Sequence, residues 1–326
     1  MGNFFEVLDA TFSSGNDHEI KNINFAIPKK GNIVCLLGPS GAGKTTILRT
    51  IAGLEKLKYG TISLNGKIIS SNTLSISPDK RNIALSFQDN CLFPHKNVYQ
   101  NILLGLERKN RKKFLYSPLE LLDLFKLKEV QQKYPHEISS GEAQRVSLAR
   151  SLISSPDLLL LDEPFANIDQ ILKEDLQKTV KDILKLTKIS AIVVTHDPNE
   201  AFYLGDKCGI IINNVLKQFD TPYNIYHFPN SLEVVNFLKR GILLNVKIIN
   251  RQILKHTSLG IINGKYGCSN LNQFNEGNTV KLLMVISWLI LSFLIISEGL
   301  ELLHLPEILT YLSASFLSCL LYTSPS

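Results

Sequence analysis

Four short segments of the chain consist almost entirely of apolar residues. They are Ile33–Leu37, Asp157–Leu161, Ala191–Thr195 and Cys208–Ile212. A strand that helices cover on both faces has no polar side, so such continuous runs are typical of the central strands of a parallel sheet. Segments with helical periodicity lie between these runs, among them Lys44–Leu54 and Ile171–Leu186. The alternation of strands and helices predicts an α/β fold.

The pattern differs on either side of this alternating region. Phe4–Ala10 and Ile20–Ile27 are predicted strands, whereas residues 98–151 are helical and more polar, as in an inserted subdomain. We therefore predict a first domain at residues 1–236 that contains a helical subdomain at about 98–151.

A change of character after Pro229 indicates a second, smaller domain. Leu243–Ile253 and Gly260–Val280 are predicted short strands separated by Gly and Asn turns. We assign residues 237–283 to a partial β-rich domain. The uncharged segment Leu282–Ser297 is somewhat shorter than the roughly 20 residues that a membrane-spanning helix needs.

Composition and charge exclude some classes of protein. The net charge of +6 is a mild excess, and the basic run at Lys109, Arg111, Lys112 and Lys113 has no interleaved aromatic residues, so we expect no nucleic-acid partner. The five cysteines form no CxxC pair, which argues against a metal site or disulfide framework and fits a reducing cytosol. The N-terminal segment lacks the basic and apolar regions of a signal peptide.

A glycine-rich loop follows the first apolar strand and precedes a helix. Its sequence, GPSGAGKTT, fits the phosphate-loop pattern G-x-x-x-x-G-K-[ST] in the context that pattern requires. Glycines let backbone N–H groups approach phosphates closely, and the helix N-terminus favours the same anion. The residues predicted to bind nucleotide are Gly38, Ser40, Gly41, Gly43, Lys44, Thr45 and Thr46. Lys44 would reach the outer phosphates, and the Thr45 hydroxyl would hold Mg²⁺.

Two carboxylates follow the second apolar strand. After the run at 158–161 come Asp162 and Glu163, a Walker B pattern when it accompanies a phosphate loop. Asp162 would bind Mg²⁺, directly or through water, and Glu163 would act as the general base toward the attacking water. Two acids after a strand, taken alone, are more often a solvated turn.

The stretch ISSGEAQR at 138–145 resembles the signature motif of ABC ATPases, usually LSGGQ followed by a basic residue. Ser140 and Glu142 depart from the usual glycine and glutamine. The resemblance implies that Ser139 and Gly141 contact the γ-phosphate held by a partner subunit. The negative charge of Glu142 would weaken nucleotide-driven closure of that dimer.

Four further positions resemble ABC elements in the same order along the chain. Phe12 matches the aromatic that stacks on adenine, although a core phenylalanine is the alternative. Gln88 matches the loop glutamine that reaches Mg²⁺ and water, Asp169 the loop that crosses the dimer interface, and His196 the switch histidine. Together with Glu163, the resemblance makes Gln88 and His196 candidate catalytic residues, with ATP and Mg²⁺ as ligands.

The resemblance covers roughly residues 4–280 and implies a complete architecture. It predicts a RecA-like ATPase core with an antiparallel β-subdomain and an inserted helical subdomain, followed by a small, truncated β-rich domain. Such subunits work as a homodimer or with a paired ATPase subunit. The alternative class is a non-transport ABC ATPase that acts on DNA or ribosomes, but its usual tandem domains or coiled-coil insertion are not seen in the sequence.

Three features resemble importers in particular. Leu92 and Phe93 match the segment that contacts a separate permease, no transmembrane domain precedes Phe4, and the β-rich piece resembles an importer regulatory domain. The sequence IYHFPN at 225–230 is most similar to ferric-iron import ATPases, with polyamine, sulfate and molybdate importers as alternatives. Such a subunit would sit peripherally on the cytoplasmic face of the inner membrane, and would work indirectly with a substrate-binding protein outside the cell or in the periplasm.

Residues 284–326 do not continue this resemblance. The family continues with charged, β-rich sequence after a segment like Val280–Leu283, but this chain turns to MVISWLI. Its end, CLLYTSPS at 319–326, resembles a translation of a transposon-end adaptor used in sequencing libraries. We therefore interpret residues 284–326 as an out-of-frame tail with an adaptor-derived end. A membrane anchor at 282–297 is the alternative.

Resequencing the source DNA through the codon for Leu283 distinguishes the two interpretations. We expect independent reads to leave the present frame there and to restore a charged continuation. An uninterrupted frame through Trp288 that is free of adaptor sequence would instead support the membrane anchor.

Overall fold

The computed structural model describes residues 2–14, 18–87, 89–106, 116–239, 242–250, 253–256, 260–263, 279–285 and 318–322. The chain divides into two compact units, Met1–Pro222 and Tyr223–Ser326. This division lies before the boundary near residue 237 that we predicted from the sequence.

The first unit contains ten strands and six α-helices among its described residues. The strands are β1 (Phe5–Ser14), β2 (His18–Ile27), β3 (Ile33–Leu37), β4 (Tyr59–Leu64), β5 (Lys67–Ser71), β6 (Ile83–Ser86), β7 (Leu158–Asp162), β8 (Ser190–Thr195), β9 (Lys207–Ile212) and β10 (Val215–Asp220). The helices are α1 (Lys44–Ala52), α2 (Val98–Leu104), α3 (Pro118–Leu124), α4 (Ser140–Ile153), α5 (Gln170–Thr187) and α6 (Pro198–Leu204), with 3-10 turns at Pro78–Lys80, Lys128–Val130 and Pro135–Glu137.

A six-stranded sheet in the order β10-β9-β3-β8-β7-β6 forms the centre of this unit. Its strands pair in parallel except for β10, which pairs antiparallel with β9. Every residue of β3, β7 and β8 is buried, as the continuous apolar runs predicted. Because β3, β7 and β8 are adjacent and parallel, their carboxyl ends bring the loops after Leu37, Asp162 and Thr195 to one edge of the sheet.

A second, antiparallel sheet has the order β2-β1-β4-β5. Its inward-facing residues share one hydrophobic core with α1 and the larger sheet, and Phe5, Ile23, Ile47 and Leu36 are fully buried there. This is the antiparallel β-subdomain that the resemblance implied.

The inserted helical region contains α2, α3 and α4. Each of these helices begins with a capping box, in which the side chains of the N-cap residue and of a Glu or Gln three positions later satisfy each other's backbone N–H groups. The basic run at Lys109, Arg111, Lys112 and Lys113 lies outside the described residues.

Helix α7 (Pro222–His227) begins at the last residue of the first unit, and the described part of the second unit also contains α8 (Leu232–Leu238) and five antiparallel strands. The strands are β11 (Ile242–Asn250), β12 (Ile253–His256), β13 (Gly260–Asn263), β14 (Thr279–Val285) and β15 (Ser318–Tyr322), in the order β13-β12-β11-β14-β15. The strand β15 belongs to the stretch that we interpreted as an out-of-frame tail, and it pairs with β14 from Lys281 to Val285.

The candidate membrane segment at 282–297 is described only as far as Val285, where it belongs to strand β14. Its remaining residues lie outside the described part of the chain. Among the described residues, no helix has both the length and the apolar character needed to cross a membrane.

One buried side chain joins the end of α1 to the neighbouring loops. The Arg81 guanidinium donates hydrogen bonds to the carbonyls of Thr50 at 3.0 Å, Ile51 at 2.7 Å, Ile69 at 3.1 Å and Ile76 at 2.7 Å. Burial lowers its pKa from the usual arginine value. A cation at a helix C-terminus also interacts favourably with the helix dipole, so Arg81 holds the helix that follows the phosphate loop.

We expect Arg81→Met to lower the free energy of unfolding by about 3 kcal/mol, because several buried carbonyls would lose their donor. Thermal and urea denaturation measure this effect. Lys80→Met, at an exposed position of the same turn, is the matched control and should change stability little. Equal stability of the two variants would contradict the role given to Arg81.

Candidate nucleotide-binding site

The glycines of the phosphate loop satisfy two separate steric demands. Gly41 and Gly43 both have a φ of 82°, in the left-handed region that favours glycine. At Gly38 the demand is space, because a β-carbon there would lie 2.2 Å from the Ile211 carbonyl oxygen. Ser40 is exposed on the same loop. The backbone can therefore adopt a tight turn whose N–H groups are accessible to an anion.

Lys44 begins α1, and its side chain is buried against the loop. Its Nζ donates hydrogen bonds to the carbonyls of Gly38 at 2.8 Å and Pro39 at 2.9 Å. Burial lowers the pKa of Lys44, and the carboxylates of Glu163 and Asp162 partly oppose that shift. The ammonium group is thus held at the loop by acceptors that phosphate oxygens could replace.

Asp162 ends β7, and its side chain is 5% exposed. Burial raises its pKa, whereas a hydrogen bond with the Thr45 side chain lowers it. Its Oδ1 is one of four buried side-chain polar atoms, among the described residues, that have no hydrogen-bond partner. A buried carboxylate oxygen without a donor, beside a threonine hydroxyl, matches the oxygen ligands that Mg²⁺ prefers.

Glu163 and His196 come from the ends of β7 and β8. His196 Nδ1 lies 3.2 Å from Glu163 Oε1, with exposed side-chain fractions of 57% for the histidine and 17% for the glutamate. Glu163 has a φ of 46°, and its N–H donates to the Val194 carbonyl at 2.9 Å. A left-handed glutamate is a strained conformation that its surroundings must hold in place.

Ser139 and Glu142 form the capping box of α4. The Glu142 Oε2 accepts hydrogen bonds from the Ser139 N–H and from the Ser139 Oγ, both at 2.8 Å. Desolvation raises the pKa of Glu142, but the hydrogen bonds from Ser139 lower it, and the pKa lies below its usual value. Because Glu142 stands where the motif usually has glutamine, a carboxylate is hydrogen-bonded to the Ser139 hydroxyl, which is predicted to contact a phosphate.

Gln144, which was not among the predicted site residues, connects α4 to the loop after β7. Its Nε2 donates to the Glu163 carbonyl at 2.8 Å, and its Oε1 accepts from the Asn167 N–H at 3.2 Å. Its position two residues after Glu142 of the signature motif was the available signal, since a glutamine buried in a helix needs hydrogen-bond partners.

A second missed group lies beneath the His196 loop. The Lys173 Nζ, on α5, lies 2.5 Å from Glu200 Oε1 and 3.2 Å from Asp197 Oδ2. The Thr195 hydroxyl donates to Glu200 Oε2 at 2.5 Å. Burial alone would lower the pKa of Lys173, but the two carboxylates raise it. This network fixes the loop that carries His196 to the helix that follows Asp169.

The phosphate loop, the loop after β7 and the loop after β8 thus meet at one edge of the sheet. They bring together the predicted residues Lys44, Asp162, Glu163 and His196. Thr46 is buried in the first turn of α1, Asp169 is exposed at the start of α5, and Gly141 approaches the Asn167 carbonyl. Gln88 lies outside the described residues.

Phe12 departs from the expectation for an adenine-stacking ring. Its side chain is fully buried in the core cluster, opposite Ile20 on the neighbouring strand. This is the alternative packing role for Phe12. Ile20 instead lies against the phosphate loop, because a β-carbon at Gly43 would be 2.1 Å from its Cδ1.

The loop that carries Leu92 and Phe93 is fixed from two helices. Arg150 of α4 donates to the carbonyls of Asn90 and Cys91, both at 2.9 Å. The buried Asn101 of α2 accepts from the Phe93 N–H at 2.9 Å. Phe93 is 45% exposed on this loop.

Comparison with known proteins shows the family to which this chain is related. The family model described as ABC transporter matches residues 20–166. An Fe(3+) ions import ATP-binding protein of Fusobacterium nucleatum is 36% identical over 81% of this chain and 68% of its own length. A sulfate/thiosulfate import ATP-binding protein of Neisseria meningitidis serogroup B is 38% identical over 69% of this chain and 63% of its own length.

The solved dimeric structure of the ATP-binding cassette MJ0796, bound to ADP and Pi, has the same fold. It superposes with a TM-score of 0.58 at 24% identity and covers 67% of this chain and 98% of that chain. The first iron-import relatives are matched over 62%, 65% and 66% of their own lengths, so this chain spans slightly less than two thirds of them.

We expect Glu142→Gln to increase ATP-dependent pairing of subunits and ATP hydrolysis. Glutamine preserves the acceptor for the Ser139 N–H but removes the negative charge of the carboxylate. After solvent screening, the repulsion between that charge and a phosphate is about 1 kcal/mol, which is roughly fivefold in the pairing equilibrium. Analytical ultracentrifugation with MgATP and a steady-state hydrolysis assay measure both effects.

Glu120→Gln is the matched control, because Glu120 forms the same capping box with Ser117 on α3. This control should leave both quantities at the parent values. Unchanged or weaker pairing in Glu142→Gln would show that the carboxylate is neutral or compensated.

Proposed function

This chain belongs to the ABC transporter family, and we propose that it is the ATP-hydrolysing subunit that powers solute import through a separate membrane permease. The observation that carries the proposal is the convergence of Lys44, Asp162, Glu163 and His196 at the carboxyl ends of three adjacent parallel strands. Helix α4, which begins at the signature residues, belongs to the inserted helical region of the same unit.

We propose that the phosphate loop binds ATP by exchanging acceptors around Lys44. The ammonium group leaves the carbonyls of Gly38 and Pro39 and donates to phosphate oxygens, which form stronger, charge-assisted hydrogen bonds. The backbone of the loop and the N-terminus of α1 need little rearrangement, because the glycine conformations already permit close approach.

The donor set fits a magnesium ion. Thr45 and Asp162 are the residues that would hold it, and the unpaired Asp162 Oδ1 is the structural sign of that role. The predicted third residue is Gln88. Mg²⁺, when bound, neutralises charge on the phosphates.

Glu163 is the proposed general base, because its carboxylate can accept a proton from the attacking water. His196 contacts that carboxylate at 3.2 Å and can orient it. Its loop is fixed through Asp197 and Glu200 to Lys173, so the histidine keeps its position while the nucleotide changes.

We propose that two such subunits pair, as a homodimer or with a related ATPase. Ser139 and Gly141 would then act on the ATP of the partner subunit, and Asp169 would lie at the interface. The exposure of Ser139 and Asp169 is compatible with this contact. The solved MJ0796 cassette is described as a dimer.

The permease contact is proposed at Leu92 and Phe93. Phe93 presents an exposed apolar ring on a loop whose backbone is fixed by Arg150 and Asn101, which allows force applied there to reach α4. A subunit of this kind would lie on the cytoplasmic face of the inner membrane, and a substrate-binding protein would act only through the permease.

Ferric iron is the proposed substrate. Iron-import proteins are among the relatives at 36% and 41% identity, and a sulfate/thiosulfate protein is 38% identical, so identity alone does not choose between them. Polyamine and molybdate remain alternatives, since the ATPase subunit would not touch the solute.

We expect Glu163→Gln to bind MgATP, to accumulate as an ATP-bound dimer and to hydrolyse ATP at least roughly 100-fold more slowly, because the base is lost. Lys44→Ala is the matched comparison: it should fail to bind, since the phosphates lose a charged donor. Hydrolysis of ATP by Glu163→Gln at the parent rate would contradict the role of Glu163.

Uptake into vesicles tests transport itself. The chain is reconstituted with a candidate permease and a candidate substrate-binding protein, and radiolabelled ferric iron and sulfate are offered separately. We expect ATP-dependent uptake of iron that Glu163→Gln abolishes. Uptake of sulfate alone would overturn the proposed substrate, and uptake of both solutes without ATP would overturn the proposed function.

A further inference from the structure

Gln144 is a buried glutamine that makes two hydrogen bonds to one loop of the site. It is 3% exposed on α4, and its amide bonds to both the Glu163 carbonyl and the Asn167 N–H. A primary amide can donate and accept at once, so a single side chain satisfies two backbone groups of opposite polarity. The contact fixes both ends of the segment from Glu163 to Asn167.

The segment needs such support because Glu163 has a left-handed backbone conformation. A non-glycine residue at a φ of 46° persists only where its surroundings hold it. The N–H of Glu163 is held by Val194 on β8, and its carbonyl is held by Gln144 on α4. The direction of the Glu163 carboxylate therefore depends on two neighbours from different elements.

The same helix presents the residues that would act on the partner's nucleotide. Ser139 caps α4 and Gly141 lies in its first turn, where a β-carbon would be 3.0 Å from the Asn167 carbonyl oxygen. The first turn of α4 and the loop after Glu163 thus fit together closely, and Gln144 bonds them less than two turns into the helix.

We propose that Gln144 is a positioning residue that couples the two ATP sites of a dimer, an inference that rests on the proposed function. It holds Glu163 toward the subunit's own ATP and holds the Ser139 turn toward the partner's ATP. A shift of α4 moves the loop from Glu163 to Asn167, and a shift of the loop moves α4, because the short Gln144 side chain bonds that loop at two points.

Gln144→Met tests the coupling, because methionine has a similar length and removes both hydrogen bonds. Gln144→Glu is the second variant, since it keeps an acceptor for the Asn167 N–H and loses the donor to the Glu163 carbonyl. Ser151→Ala is the matched control: it removes a buried hydroxyl of α4 that donates to the Ser147 carbonyl of the same helix at 2.9 Å. Circular dichroism and thermal melting establish that each variant is folded.

Three experiments are made. They measure the affinity of the single subunit for a fluorescent ATP analogue, kcat together with the Hill coefficient for ATP, and ATP-dependent dimer formation in a Glu163→Gln background. We expect both Gln144 variants to keep the parent affinity within about twofold, to lose about tenfold in kcat, and to have a Hill coefficient closer to one. We also expect Gln144→Met to weaken the trapped dimer. Ser151→Ala should match the parent in all three.

Parent kcat and an intact trapped dimer in folded Gln144→Met would overturn the inference. A loss of kcat with an unchanged trapped dimer would also overturn it, because Gln144 would then position only its own loop. An equal loss in Ser151→Ala would overturn it as well, because any disturbance of α4 would then have the same effect. Failure of the parent protein to hydrolyse MgATP is a separate outcome, which counts against the proposed function.

Discussion

The burial of opposite charges at one edge of a parallel sheet is the constraint on which the rest of the structure depends. Lys44 and Asp162 are both 5% exposed, and a buried charge costs several kcal/mol unless partners compensate it. Among the described residues, the direct acceptors of the ammonium group are the loop carbonyls of Gly38 and Pro39, and Oδ1 of the aspartate has no donor. The two charges stabilise each other only partly. The arrangement is therefore better suited to receiving an anion and a cation than to stabilising the fold.

The buried apolar strands of the sheet offset the free-energy cost of the buried charges at that edge. The strands β3, β7 and β8 are buried along their whole length, so the sheet supplies a rigid base from which the charged residues emerge. The loops at that edge are also joined to one another. Lys173 links α5 to the His196 loop, and Arg81 fixes the far end of α1. The loops after β7 and β8 are therefore held by side chains from α4 and α5.

The sequence indicated those parts that depend on local or one-dimensional patterns. Continuous apolar runs predicted β3 and β8 within a residue or so, because a doubly covered strand leaves a direct trace in composition. The short strand β6 was missed, since four residues carry too little periodicity to separate it from a loop. The glycine loop and the Asp-Glu pair were predicted from motif and context, but their geometry came only from the fold.

Three-dimensional contacts between distant segments had no such trace. Phe12 has the residue type expected for base stacking, yet its burial depends on Ile20 and the core behind it. Gln144 and Lys173 look like ordinary helical polar residues until the partners from other elements are known. Gln144 satisfies backbone groups around the strained Glu163. Lys173 supplies the positive charge that pairs with the carboxylates of Asp197 and Glu200.

Helix α4 brings these requirements together. Its first turn holds Ser139, its middle holds the Glu163 loop through Gln144, and Arg150 near its end holds the loop that carries Phe93. A helix stretches very little along its axis, because its backbone hydrogen bonds fix the rise per residue. If the permease bears on Phe93 as proposed, its motion reaches the Ser139 turn and the Glu163 carbonyl through the same rigid body. The three contacts then cannot change independently, which physically links transport, hydrolysis and pairing in one element.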